Sequence, residues 1–281
     1  MRRRTNKNDG ILAASPYILW SGIFIVIPIL IVLFFSLTIK NGDSYVFSLD
    51  NFIRLFEGNY PKIFGKSLWL AFLTTVVCLI LGYPTAYLIS KMKSKKRSML
   101  IMLFIIPMWM NFLIRTYAWL PILRKNGLIN NFLEIFGIAP LNILYTDFAV
   151  ILGMVYNFLP FMILPIFTVL TKIDKDLTNA ASDLGANRLK VFSKVVFPLS
   201  LPGVVSGITM VFMPAVSTFV ISRILGGGQY WLVGNAIETQ FITIGDWNFG
   251  SAIAICMMVI ILISMTVMNR IERKNSIEGG K

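Results

Sequence analysis

At 281 residues, 56% hydrophobic and 14% charged, with a mean hydropathy of +0.74, this chain is too apolar for a soluble domain of its length. It has no histidine, which excludes the common zinc arrangements and leaves no basis for a histidine-centred nucleophile–base pair. Its net charge of +13 is dispersed among short loops without a nucleic-acid motif beside it, so a lipid bilayer and not a nucleic acid is the expected partner.

Residues 1–15 read as a basic tail carrying Arg2, Arg3, Arg4 and Lys7. The apolar stretch 16–37 is too long for a signal peptide and lacks a small-x-small cleavage pattern, so it is read as a retained helix. Five more stretches follow, at 67–90, 98–120, 148–171, 200–224 and 249–269. Each is long enough to cross ~30 Å of hydrocarbon, which takes roughly 20 helical residues. Only Arg115 and Arg223 are charged inside them, each toward one end. The second connector carries Lys91, Lys93, Lys95, Lys96 and Arg97, and the fourth carries Lys172, Lys175, Arg188, Lys190 and Lys194. With Arg270, Arg273, Lys274 and Lys281 at the end, eighteen of the 26 basic residues fall on one side, which the positive-inside rule makes the cytoplasm. The expected architecture is an all-α membrane protein of six transmembrane helices over residues 16–270, with residues 271–281 as a second cytoplasmic tail.

The spans are rich in Pro28, Pro84, Pro107, Pro160, Pro165, Pro202 and Pro214, which favours an irregular, hinge-bearing bundle around a pathway. Gly203 and Gly207 form a Gly-x-x-x-Gly pair that would let a neighbouring helix approach closely. Cys78 and Cys256 fall within spans and read as packing residues, with no disulfide expected. All 13 carboxylates are assigned to loops or tails, so a proton relay has no groups to run on. No Gly-x-x-x-x-Gly-Lys-Ser/Thr loop is present, and Gly226-Gly-Gly228 reads as a flexible outer turn. Energy for transport must then come from another subunit.

Two features could touch a solute. Trp109, Asn111 and Tyr117 lie on the third stretch, the first two placed mid-span, and Tyr156-Asn157 lies on the fourth. Aromatic faces attract ammonium groups, at about 0.5–2 kcal/mol each depending on desolvation, and amides bond across helices. Trp119 reads as an interfacial anchor and Arg115 as an outer-end snorkel or packing contact. Glu238 and Asp246, near the outer mouth, are the carboxylates available to a cation.

The most informative stretch, 172–203, contains Asp176, Asn179, Ala180, Ala181, Ser182, Asp183 and Gly185, followed by a basic run and Pro198-Leu-Ser-Leu-Pro202-Gly203. Ala180, Ala181, Ser182 and Gly185 offer a small-residue surface that another protein's groove could approach. This spacing resembles the EAA loop of importer-type ABC permeases, the element that docks into an ATPase. Lys172-Ile-Asp-Lys-Asp-Leu, Asp183-Leu-Gly-Ala, Met213-Pro-Ala215, Leu232-Val-Gly-Asn235 and Gln240-Phe…Asp246-Trp-Asn-Phe-Gly250 resemble the spermidine/putrescine permeases of PotB type. Gly82-Tyr-Pro84, Pro107-Met-Trp109-Met-Asn111, Leu113-Ile-Arg115 and Leu159-Pro-Phe161 extend the likeness upstream.

The resemblance implies a type I ABC importer permease (MetI-like) fold and a non-catalytic subunit that carries no cofactor of its own. It also implies a second permease of PotC type, a PotA-type ATPase homodimer holding ATP and Mg, and a PotD-type extracytoplasmic polyamine-binding protein, in a bacterial plasma membrane. An importer for an anion, sulfonate or metal chelate is the alternative, ahead of a channel, scaffold or membrane enzyme. One departure stands out. The family loop begins Glu-Ala-Ala, whereas here Asn179 precedes Ala180, and Asp183, four residues on, could supply the charge.

Overall fold

A computed structural model describes residues 15–42 and 44–278, with side chains as far as Arg270. The tail cations Arg2, Arg3, Arg4, Lys7 and Lys281 lie outside the described residues, and of Arg273 and Lys274 only the helical backbone is described.

Five helices are long and apolar enough to cross a membrane: α1 (Ser15–Ser36), α2 (Tyr60–Ser90), α5 (Asp147–Leu170), α7 (Arg188–Ser217) and the Trp247–Arg270 part of α10 (Trp247–Glu278). The expected third span is not one helix. It is α3 (Ser94–Trp109) followed by α4 (Phe112–Ile135), bent by 99° at the break. The fifth is also shifted, since α7 starts at Arg188 and stops at Ser217 instead of running over 200–224. Thr218 is extended (ψ 136°), and a separate short helix, α8 (Val220–Leu225), follows. Arg188, Lys190 and Lys194 therefore belong to a helix and not to a connector.

The all-α membrane class holds, and beside the helices the chain contains one small hairpin that the sequence reading did not include. Strands β1 (Thr38–Asn41) and β2 (Ser44–Phe47) pair antiparallel, from Thr38 opposite Phe47 to Asn41 opposite Ser44. The pairing of Asn41 with Ser44 leaves a two-residue turn that begins at Gly42, which takes φ +64° as such turns require.

Contacts divide the chain into two compact units. One takes in the chain up to Pro61 together with Ala236–Val259. Here Asn248 donates to the Phe35 and Thr38 carbonyls (3.1 and 2.7 Å), and Asn51 donates to the Ser36 and Thr38 carbonyls (3.3 and 2.9 Å). These amides satisfy backbone groups freed where α1 ends and the hairpin begins. The other unit runs Lys62–Asn235 and resumes at Ile260. Its centre is the pairing of α5 with α7, and glycine makes that pairing possible. A Cβ on Gly203 would lie 2.9 Å from the Pro165 carbonyl oxygen, and one on Gly207 would lie 2.8 Å from Met162 Sδ. A Cβ on Gly82, in α2, would lie 2.9 Å from Met162 Cγ, so that side chain fits between two glycines. The expected role of the Gly203–Gly207 pair is what the structure contains.

Candidate functional site

The loop between α5 and α7 folds into α6 (Lys175–Asp183). Asp174 caps it, its Oδ1 accepting the Asp176 N–H at 3.0 Å, and a carboxylate there also suits the helix dipole. At the other end the Ala186 N–H reaches the Ala181 carbonyl (3.1 Å) and the Gly185 N–H reaches the Ser182 carbonyl (2.9 Å). That is a Schellman cap with Gly185 in the left-handed position at φ +81°. The space around Gly185 is open, with nothing within 4 Å of a Cβ built there. Backbone conformation therefore gives a reason for glycine here that the sequence reading, which noted only its small size, did not include.

Three leucines that the sequence reading passed over change the picture of this surface. Leu177 is 50% exposed, Leu184 90% and Leu189 77%. On α6 the positions 177, 180, 181 and 184 fall at i, i+3, i+4 and i+7, so Leu177, Ala180, Ala181 and Leu184 form one apolar stripe turned outward. Asp176, Asn179 and Asp183 line its polar flank at the same spacing, while Ser182 donates to the Thr178 carbonyl on its own helix (2.9 Å). Apolar residues at heptad spacing in an otherwise polar segment were the signal that could have found Leu177 and Leu184.

The pathway candidates are dispersed. Trp109 ends α3 at the break and is 86% exposed. Asn111 is not mid-span but caps α4, its Oδ1 accepting the Leu113 and Ile114 N–H groups (2.9 and 3.4 Å). Its side chain is occupied by backbone, and the break follows from the extended Met110 and Asn111 that separate the two helices. Arg115 is buried and donates from an Nη to the Pro107 carbonyl at 3.0 Å, bridging the break, so of its two readings it is the packing contact and not the snorkel. Tyr117 is exposed, and the Tyr156 ring meets Trp119 edge-on with centroids 5.3 Å apart, which gives Trp119 a packing role besides any interfacial one. Asn157 is fully buried, with its amide donating to the Gly153 carbonyl at 2.9 Å, which places it inside the chain and not on an open face.

The carboxylates differ from expectation as well. Asp246 accepts the Phe249 N–H (3.0 Å) to cap α10 and pairs with Arg54 at 3.0 Å. Glu238 is half-buried at the end of α9 (Val233–Glu238), and Glu134 sits on a helix instead of in a loop. Asn235, another residue given no role from sequence, holds the α7–α8 break. It accepts from the Ser222 hydroxyl (2.6 Å) and donates to the Phe219 carbonyl (3.1 Å), while Gly234 lies so close that a Cβ would stand 2.6 Å from the Ser217 carbonyl oxygen. In the turn Gly226-Gly-Gly228 the first two glycines are packed, Gly226 against Tyr230 and Gly227 (φ +63°) against the Tyr145 ring, while Gly228 is open. Nearby, burial and then the Asp147 carboxylate push the Tyr230 phenol above its ordinary value.

Solved structures share this arrangement of apolar helices with a short exposed helix between two of them. A bacterial transporter that imports the acidic polysaccharide alginate superposes with a TM-score of 0.81, covering 95% of this chain and 96% of that one at 18% identity, a likeness that carries the fold. The chain belongs to the family of binding-protein-dependent transport system inner membrane components, whose pattern matches residues 78–277. Among its relatives, the spermidine/putrescine transport system permease protein PotB of Escherichia coli (strain K12) is 38% identical over 259 residues, covering 90% of this chain and 94% of that protein. The PotB protein of Haemophilus influenzae is 39% identical at 90% and 91% coverage. The inner membrane permease YdcU of E. coli K12 is more distant, at 27%.

Proposed function

We propose that this chain is the membrane-spanning subunit of an ATP-driven importer of polyamines, spermidine and putrescine being the substrate class. The observation that carries this reading is the end-to-end likeness to two PotB permeases, 38% and 39% identical across 90% of the chain. In the bacterial plasma membrane, with both termini cytoplasmic, the outward stripe Leu177–Ala181–Leu184 on α6 takes the place of a docking knob for an ATPase. Burying such leucines against a partner is worth about 1.5–3 kcal/mol each. ATP and Mg belong to that ATPase, of PotA type; this chain performs no hydrolysis, holds no cofactor, and takes a PotC-type permease as its second half and a PotD-type protein as its supplier. ATPase closure then moves α6, and through the glycine-packed α5–α7 pair biases the bundle between two states.

On the substrate side, the exposed Trp109 offers an aromatic face to an ammonium group, with Tyr117 and Tyr156 as further aromatic surface. Asn111 and Asn157 act behind them by shaping the helices. A polyammonium ion cannot enter hydrocarbon unpaired, so charge compensation falls to the second permease together with Glu238 and Asp246. The experiment is uptake of labelled spermidine by the reconstituted complex. Trp109→Ala is expected to lower uptake at least tenfold while leaving assembly and unstimulated ATP hydrolysis unchanged. Undiminished uptake removes Trp109 from the pathway, and a complex that transports no polyamine at all overturns the substrate class.

A further inference from the structure

A second feature flanks the coupling helix and concerns charge. Where α2 ends, α3 begins and α6 begins, a cleft of about 150 Å3 is lined by Tyr87, Lys91, Arg97, Asp174, Lys175 and Thr178. It is far roomier than the ~10–15 Å3 that one water needs on the same measure. Lys91 is steered over the Tyr87 ring, its Nζ 4.2 Å from the centroid, and Arg97 is half-buried. None of the three cations has a carboxylate within ion-pair distance among the described residues. The one acid present, Asp174, spends its Oδ1 on the Asp176 N–H. Three cations thus share a concave place with one carboxylate, a net positive lining.

We propose that this cleft binds the phosphate of an anionic inner-leaflet lipid and that the bound lipid steadies the first turn of α6. A guanidinium fork and two ammonium groups are the donors that a phosphodiester takes, Arg in bidentate fashion. The position argues for a lipid over a soluble anion. The same cleft is walled by Leu170, at the end of α5, and Val196, about two turns into α7, so a headgroup there keeps its glycerol against apolar surface. Basic pockets between helices at the cytoplasmic boundary recognise anionic headgroups by this combination. Lys93, Lys95 and Lys96 lie close in sequence but do not line the cleft, which makes them a matched control.

The inference rests on the cytoplasmic orientation proposed above. The test uses the full complex purified from membranes containing phosphatidylglycerol and phosphatidylcholine, with retained lipid counted by native mass spectrometry. The Lys91→Gln, Arg97→Gln double variant should lose retained phosphatidylglycerol by about fivefold for each charge removed, and the Lys93→Gln, Lys95→Gln control by less than twofold. Equal losses from both pairs reduce the effect to diffuse surface charge and overturn the proposal, as does unchanged retention in the first. Displacement of the lipid by millimolar inorganic phosphate overturns the lipid assignment in favour of a soluble ligand. Should the double variant fail to assemble, Arg97→Lys keeps the charge and loses the fork; it should show a partial loss, and full retention overturns the proposal. Orientation is read separately, by labelling Lys190→Cys with an impermeant thiol reagent in a chain lacking Cys78 and Cys256. Labelling from outside the cell removes the orientation, whatever the lipid count.

Discussion

The α5–α7 pair and the α6 loop both depend on glycine, for opposite reasons. At Gly203 and Gly207 no Cβ fits, because the Pro165 carbonyl and Met162 occupy its place. At Gly185 a Cβ has open space around it, and the constraint is a left-handed backbone. The first region is finished: its neighbours are all within the chain. The second has one face on the bundle, where Thr178 and Ala181 are half-buried, and on the other an apolar stripe whose Leu177 and Leu184 stay exposed among the described residues. One residue type thus marks a closed interior in one place and a shaped, vacant surface in the other.

The largest expected effect tests the closed region. Gly207→Leu forces side-chain atoms into the Met162 backbone and should destabilise the permease by about 1–3 kcal/mol or more, read as a lowered melting temperature in detergent. The same change at Gly65, where nothing lies within 4 Å of a Cβ, should cost little. Equal losses at the two positions erase the distinction.

Next comes the open region. Leu184→Ser removes the most exposed apolar side chain of the stripe and should weaken ATPase association by about 1.5–3 kcal/mol, with the melting temperature unchanged. Co-purification of the ATPase at wild-type yield removes Leu184 from the docking surface.

Gly185 itself separates size from conformation. Gly185→Ala should weaken the end of α6 by about 1–2 kcal/mol, whereas Gly185→Asn, larger but tolerant of φ > 0, should retain more substrate-stimulated ATP hydrolysis. The reverse order, Ala better than Asn, means that the partner's groove and not the backbone sets the residue. The smallest effect is expected from Asn179→Glu, which restores the carboxylate of related loops. A partly exposed ion pair adds about 0–1 kcal/mol, so ATPase affinity should rise no more than about fivefold in a titration.

Much of the fold was legible because apolar length is a strong signal: α1, α2, α5 and α10 lie where the hydropathy of 16–37, 67–90, 148–171 and 249–269 puts them. The breaks were not, because they turn on side chains that cap or bridge, as Asn111, Arg115 and Asn235 do, and no window of composition sees a hydrogen bond. The hairpin had little to announce it beyond Gly42 at its turn, in a stretch otherwise read as a connector. At the candidate site the glycine and alanines stood out in the sequence. Leu177 and Leu184 did not, since a leucine reads as core until a structure leaves it uncovered.

The break between α3 and α4 carries a further consequence for where this chain meets lipid. Twelve α-helical and four 3-10 residues make up α3, a rise of about 26 Å, and its first turn, Ser94-Lys-Lys-Arg97, is polar enough to stay among headgroups. The helix therefore ends short of the far side of a ~30 Å hydrocarbon layer, with Met110 and Asn111 extended at that depth. Acyl chains offer no hydrogen bonds to such backbone, which is tolerated only against protein or beside water. The elbow at Trp109 therefore needs protein or water beside it, whereas the apolar window of α1, none of it buried, is a face that bilayer can cover.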